Sequence, residues 1–426
     1  MTAVTERDRW RAVRPLAHRD FRLLFSAVVL SVFAAGMWAV VMVYAVIETG
    51  GDPVALSLVA SANAVGLLAC AIPGGIAADR VSRRAILRAV ETINVLAIGS
   101  VVVAGWFDAL TLPQLTIVSL LLGAGAGFFF PAYSAILPRI LPAEQLLAAN
   151  GLESAIRPAL QQAAGPAAAG LLLAALIPAQ AAVAVLVAHS LALIVLLVLR
   201  REPGAAADDS GSAEAGARGV VRDLFEAVSF TVRTPWLLWT LLFATLWVLF
   251  TVGPETVLLP FLTAERFGDD PRLFGFLLAF FGGGGVVGSL FVSSFPLPRR
   301  YLTAMTLVWG FSTLPYIAVG LTDSYIVMAV SCALAGFGFS YGNVIWGTLL
   351  QRRVPRHMLG RISSLDFFVS LALMPVSMAL AGPVAQVVSL TAIFIVAGVV
   401  PFVVSFAVLA IARMPRDEID NPLADG

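Results

Sequence analysis

The chain has 426 residues, of which 59% are hydrophobic and only 12% charged, and its mean hydropathy is +0.92. A water-soluble fold of this length has too little interior to hide so many apolar side chains, so lipid is the solvent for most of it. The formal net charge of +1 lacks the basic balance of a nucleic-acid-binding protein. All 27 basic residues are arginine, which removes both a GxxxxGK[ST] phosphate loop and a Schiff-base lysine.

The first segment, Met1 to Arg22, is polar and Arg-rich with no small-residue cleavage site, so no signal peptide is expected. A hydrocarbon core about 30 Å thick takes about 20 residues of apolar helix. Stretches of that kind fall at 23–47, 54–78, 86–107, 113–135, 150–176 and 180–199, then at 236–262, 273–295, 301–321, 325–350, 362–388 and 390–412. Twelve spans are predicted, and the fold class is all-α integral membrane.

Arginine sorts the loops. With the N-terminus placed inside, the inner face collects every arginine except Arg266 and Arg272 on the other side and Arg157 within a span. That asymmetry predicts that both termini are cytoplasmic. Residues 201–219 are low in complexity and read as a flexible linker. After them Val221, Leu224, Phe225, Val228 and Val232 recur at helical spacing among Arg222, Asp223, Glu226 and Arg233, which predicts an amphipathic helix on the inner membrane surface. The expected organisation is 1–200, a linker with its helix over 201–235, and 236–426.

The halves repeat each other. At an offset of half the chain, Gly123 and Gly125 meet Gly336 and Gly338, Arg139 meets Arg352, Pro142 meets Pro355, and Glu153 meets Asp366. Two repeated six-helix halves mark one large class of secondary transporters.

Between the second and third spans the chain reads Gly75-Ile-Ala-Ala-Asp79-Arg80-Val-Ser82-Arg83-Arg84-Ala-Ile-Leu87. This resembles the GxLaDRxGRKxxL signature of the major facilitator superfamily, with Ser82 in place of Gly and Ala77 in place of Leu. Further matches are Phe21-Arg-Leu-Leu, the run Leu141-Pro-Ala-Glu-Gln-Leu-Leu-Ala-Ala-Asn150-Gly-Leu, Gly165-Pro166-Ala-Ala-Ala-Gly170, and Leu350-Gln351-Arg-Arg-Val-Pro355 through Gly360-Arg361 to Gly382-Pro383. Together they resemble the macrolide-efflux and enterobactin-exporter branch of drug/proton antiporters. The fifth span carries Gln161 where that branch usually has a further Gly, and the first span has no charged residue, although members of that branch often place a polar one near Gly36.

The resemblance implies an exporter of small amphipathic compounds (drug, antibiotic, siderophore or other secondary metabolite) working by proton antiport and alternating access. It further implies a monomer in the bacterial inner membrane whose partners are substrate, protons and lipid. No cofactor, metal, ATP or nucleic acid is expected, and no enzymatic chemistry. Gly75, Asp79, Arg80, Arg83, Arg84 and Arg361 would form the gate, with Asp79 latching to the start of the eleventh span. The rivals are a lipid or lysolipid flippase on the same fold and a non-transporting membrane sensor.

Ionisable groups within spans are costly, and by default they are functional candidates. Glu255 follows Gly253-Pro254, which is expected to kink the seventh span, and has no arginine near it in sequence. A carboxyl without a counter-ion in an apolar cavity is the kind of group that exchanges protons near neutral pH. Glu91 and Asp366 are the further proton-coupling candidates. Arg84 and Arg88 beside Glu91 point to a fixed charge there, and the repeat gives Asp366 the same ion-pair reading as Glu153. Glu153, Arg157 and Gln161 share one helix face, and Glu153–Arg157 is the favourable order for an intrahelical ion pair.

Phe128, Gln161, Trp247, Phe250, Asn343 and Trp346 are candidates to line a substrate cavity. Gly165-Pro166 and Gly382-Pro383 are expected helix bends, and the Gly284–Gly288 spacing predicts close helix packing. Gly338-Phe-Ser340-Tyr-Gly342 fits the GxSxG of hydrolases but lies within an apolar helix, not at a strand-turn-helix elbow. Cys70 and Cys332 sit in apolar runs with no CxxC, and His18, His189 and His357 have no metal-ligand spacing.

Overall fold

The computed structural model describes residues 14–199, 217–355 and 357–423, and every regular element among them is helical. That follows from the solvent: in hydrocarbon each backbone N–H and C=O needs a partner within its own segment. Eleven helices among the described residues are long and apolar enough to cross a membrane. The first six spans are Arg19–Glu48, Pro53–Arg80, Arg83–Trp106, Leu112–Ile140, a composite fifth, and Pro178–Val198. The last six are Pro235–Phe267, Pro271–Ser293, Tyr301–Leu321, Tyr325–Arg353, Leu359–Ala385 and Leu390–Ile411. The fifth, not among the eleven, runs through Ala143–Ile156, a π-helical turn over Arg157–Ala164, and Gly165–Leu173.

Proline places the interruptions, because it removes a backbone donor from the ladder. Gly165-Pro166 falls at the seam where the π turn of span five returns to α-helix. Span seven breaks at Pro254, where a π turn over Pro254–Leu258 separates Pro235–Gly253 from Leu259–Phe267. Span nine parts before Pro315, between Tyr301–Phe311 and Pro315–Leu321. Span eleven differs from expectation. Its break lies at Ala372–Leu373 ahead of Pro375, and the helix Met374–Ala385 continues through the predicted bend at Gly382-Pro383.

By its contacts the chain forms two compact units. The first comprises Met1–Ser210 with Asp270–Ala279, and the second Gly211–Asp269 with Phe280–Gly426. The opening turns of span eight thus group with the first unit, unlike the expected division at 236. Arg7, Arg9, Arg11, Arg200, Arg356 and the linker residues 201–216 lie outside the described residues. Helix resumes at Ala217, inside the expected linker, and runs to Arg233. On it Ala227 is buried in the second unit's core, while Phe225, Val228 and Val232 form an exposed apolar stripe. The side chains of Val221, Arg222, Asp223 and Leu224 are outside those described.

Glycine sets the closest crossings in both units. A methyl group at Gly123 in span four would collide with the Asn63 carbonyl of span two. Its repeat partner Gly336 in span ten stands in the same way against the Phe281 carbonyl of span eight. Gly284 and Gly288 meet the Ala333 and Phe337 carbonyls of span ten, so the small-residue spacing serves backbone-to-backbone packing.

A short helix, Met414–Asp420, closes the second unit. Its buried Glu418 accepts from the Leu302 and Thr303 amides at 2.9 and 3.1 Å and from the Thr303 hydroxyl at 2.7 Å. A carboxylate is thereby placed on the unpaired donors opening span nine, the favourable end of the helix dipole. Asp417 pairs with Arg353, whose guanidinium lies 4.6 Å from the Trp236 ring centre.

Candidate functional site

Within the first unit Glu91 is 0% exposed and joins three spans. The Ser31 hydroxyl of span one donates to its Oε1 at 2.6 Å, and His189 Nδ1 of span six lies 2.8 Å from its Oε2. His189 is 3% exposed. Of the two arginines, Arg84 and Arg88, expected to act on Glu91, Arg88 is engaged elsewhere. The Arg88 guanidinium donates instead to the Leu196 and Leu199 carbonyls at 3.0 and 3.1 Å, satisfying the end of span six.

Arg157 donates to Glu153 at 2.8 Å, and its guanidinium lies 4.0 Å from the Phe130 ring centre. The pair sits where span five enters its π turn. That turn packs on span one: a methyl at Gly36 would come within 2.5 Å of the Gln161 carbonyl oxygen. Gln161 and Phe128 are half-buried. Of the expected gate, Gly75 has open space about it, Arg80 is exposed, Arg83 half-buried and Arg84 buried. The Asp79 side chain lies outside those described. Arg361 donates to Glu226 at 2.8 Å, tying the start of span eleven to the amphipathic helix.

In the second unit Glu255 occupies the π turn after Pro254 and is half-buried, with the Tyr316 hydroxyl donating to its Oε2 at 2.8 Å. Span nine thus supplies a neutral donor to the carboxyl of span seven. Asp366 is also held by neutral groups: the Trp346 indole donates at 3.0 Å and the Ser370 hydroxyl at 3.0 Å. The ion pair that the repeat with Glu153 suggested is replaced by a hydrogen-bonded carboxyl.

The cavity candidates separate by burial. Trp247 and Trp346, expected as candidates to line a substrate cavity, are each 8% exposed and belong to the packed core of the second unit. Trp247 stacks on Phe339 with ring centres 4.9 Å apart, and Trp346 meets Trp236 edge to face at 6.1 Å. Phe250 is half-buried and Asn343 exposed. Ser31, His189 and Tyr316 were missed in the sequence, although an imidazole within an apolar span was itself a signal.

Comparison with known proteins places this arrangement. Residues 24–373 match the model of the Major Facilitator Superfamily, and the chain belongs to that family of membrane transporters. It is similar to the multidrug efflux pump Tap of Mycolicibacterium fortuitum, 27% identical over 371 residues that cover 84% of this chain and 88% of that protein. It is also similar to macrolide efflux protein A of Streptococcus pyogenes, 23% identical over 386 residues, 89% of this chain and 92% of that one. A crystal structure of the nucleoside transporter NupG shares the fold with a TM-score of 0.67 at 13% identity, covering 91% of this chain and 98% of that one.

Proposed function

We propose that this chain is a secondary active exporter of small amphipathic compounds, driven by protons moving the opposite way through alternating access. The observation that carries the reading is the correspondence, over most of both chains, with two proteins named for efflux of drugs and macrolides. Glu255 supports the proton part. A carboxyl held by a phenol can take and lose a proton without breaking an ion pair, and interrupted helices are where transporters build such sites. Asp366, held by an indole and a hydroxyl, has the same property.

Binding by apolar and aromatic walls with few polar groups suits broad selectivity. Substrate, protons and lipid are the partners required. No bond is made or broken, and ATP, cofactor and nucleic acid have no part. The protein works as a monomer in the bacterial inner membrane with both ends cytoplasmic, a placement that rests on the arginine asymmetry. The gate reading of Gly75, Asp79, Arg80, Arg83, Arg84 and Arg361 belongs to the same proposal.

The test is expression in a host stripped of its own drug pumps, with efflux followed in cells and everted vesicles. Raised drug tolerance and efflux abolished by an uncoupler are expected. Efflux that persists at zero proton gradient excludes the coupling. Turnover stimulated by lysolipid, without any drug phenotype, replaces the exporter with a flippase.

A further inference from the structure

We propose that Glu91 and His189 form a proton-binding site of the first unit, a carboxylate–imidazole pair that takes a proton from water and returns it during the transport cycle. The proposal rests on the drug/proton antiport reading and adds to Glu255 a second titratable centre. Its ground is geometric. Glu91 lies eight residues beyond Arg83, about 12 Å into span three. There its two oxygens are divided between partners from two other spans. The Ser31 hydroxyl donates to Oε1, which fixes that oxygen as an acceptor. His189 Nδ1 shares one proton with Oε2 across 2.8 Å, and the other ring nitrogen is left to gain and lose a proton.

The choice of residue types matters. An arginine in place of His189 would neutralise Glu91 permanently, since a guanidinium does not release its proton in proteins. An imidazole can both gain and lose a proton, so the pair can pass between neutral and charged forms. A brace between spans one, three and six needs no ionisable group. An ionisable pair at this depth is costly to keep and by default serves transport.

The neighbouring elements leave the pair the ionisable centre of its layer. Span six has no other charged side chain. Span one carries Arg19, Asp20 and Arg22 in its first turn, with Tyr44 and Glu48 at its far end. Span two ends in Asp79 and Arg80 and holds Cys70, while span four holds Tyr133 and Arg139. Arg83, Arg84 and Arg88 precede Glu91 on its own helix, toward the Arg-rich end.

Two readouts test this. In a full-length chain carrying H18Q and H357Q, His189 is the only histidine. Nitrogen-15 NMR of that chain in lipid nanodiscs, without drug, should show ring-nitrogen signals that respond to pH. E91Q should change that response, because it removes the carboxylate that the ring contacts. S31A, the smallest change, should also alter it, and it keeps the test alive if E91Q fails to fold. In proteoliposomes with an imposed proton gradient, E91Q should lose gradient-driven efflux about tenfold while binding drug within about twofold. A His189 signal that does not respond to pH overturns the proposal. So does wild-type gradient-driven efflux with an unchanged pH profile in both E91Q and H189Q. If the parent chain moves no drug, the export reading fails on its own, and the NMR titration still decides the pair.

Discussion

The Ser377 hydroxyl occupies the place of a backbone hydrogen bond in span seven, accepting from the Gly253 amide at 2.8 Å and donating to the Leu249 carbonyl at 2.7 Å. In an uninterrupted α-helix the Gly253 amide would reach Leu249 directly. Here the ladder opens one residue before Pro254, and a side chain from span eleven fills the gap. The inserted hydroxyl sits immediately ahead of the π turn on which Glu255 stands.

Replacing that hydroxyl should expose its importance. Ser377→Ala leaves a buried donor and a buried acceptor without their partner, a loss of about 1–3 kcal/mol. The expected outcome is a lower midpoint of thermal unfolding in detergent, together with a weakened drug-driven proton flux. Ser377→Thr keeps the hydroxyl and should restore most of both. Equal midpoints for Ser377→Ala and the parent would show that the gap closes on its own.

Gly36 tests the crossing of spans one and five. A Cβ there would come within 2.5 Å of the Gln161 carbonyl oxygen and 2.9 Å of both the Gln161 Cα and the Leu160 oxygen, all of them backbone atoms. No side chain can swing aside, so the two helices must separate. Gly36→Ala should therefore yield little monodisperse protein by size-exclusion chromatography. Gly283→Ala, where nothing lies within 4 Å of the added carbon, should behave like the parent.

What the sequence discloses follows from range. The spans are legible because length and apolarity are local properties, and Glu153–Arg157 because its partners are one helical turn apart. The Glu91–His189 contact joins residues 98 apart, and Ser377 reaches Gly253 across 124. Helix packing brings such pairs together, and periodicity carries no trace of it. The break in span eleven was misplaced for a related reason. Gly382-Pro383 has the composition of a bend, yet Pro375 is the one at which the helix restarts. The repeat was a sound guide to backbone, as Gly123 and Gly336 show, and a poor one to chemistry. It matched Glu153, paired to an arginine, with Asp366, held by neutral donors.

Glu418 anchors the end of the described chain. Its carboxylate satisfies two amides and a hydroxyl at the start of span nine while 1% exposed. Glu418→Ala strands those donors and removes a favourable charge from a helix N-terminus, so about 2–4 kcal/mol of stability should be lost. Glu418→Gln keeps an acceptor oxygen and should lose less. Thermal unfolding of the purified variants in detergent provides the comparison. An unfolding midpoint for Glu418→Ala within a degree of the parent would mean that the short helix does not brace span nine.

Glu255 and Tyr316 separate coupling from binding. Glu255→Gln preserves shape and can still accept from the Tyr316 hydroxyl, but it has no proton to exchange. Uphill efflux driven by a proton gradient should fall about tenfold or more, while drug binding and downhill drug movement change little, because only the proton-linked step is removed. Tyr316→Phe keeps the carboxyl and removes its donor. Coupled efflux should survive there, with the pH of half-maximal flux displaced from that of the parent. Both effects are read in proteoliposomes by drug fluorescence against an imposed pH difference. Were Glu255→Gln to pump as well as the parent, Glu255 would drop out of the coupling mechanism. The Glu91–His189 pair and Asp366 would then be the sites left to carry the proton.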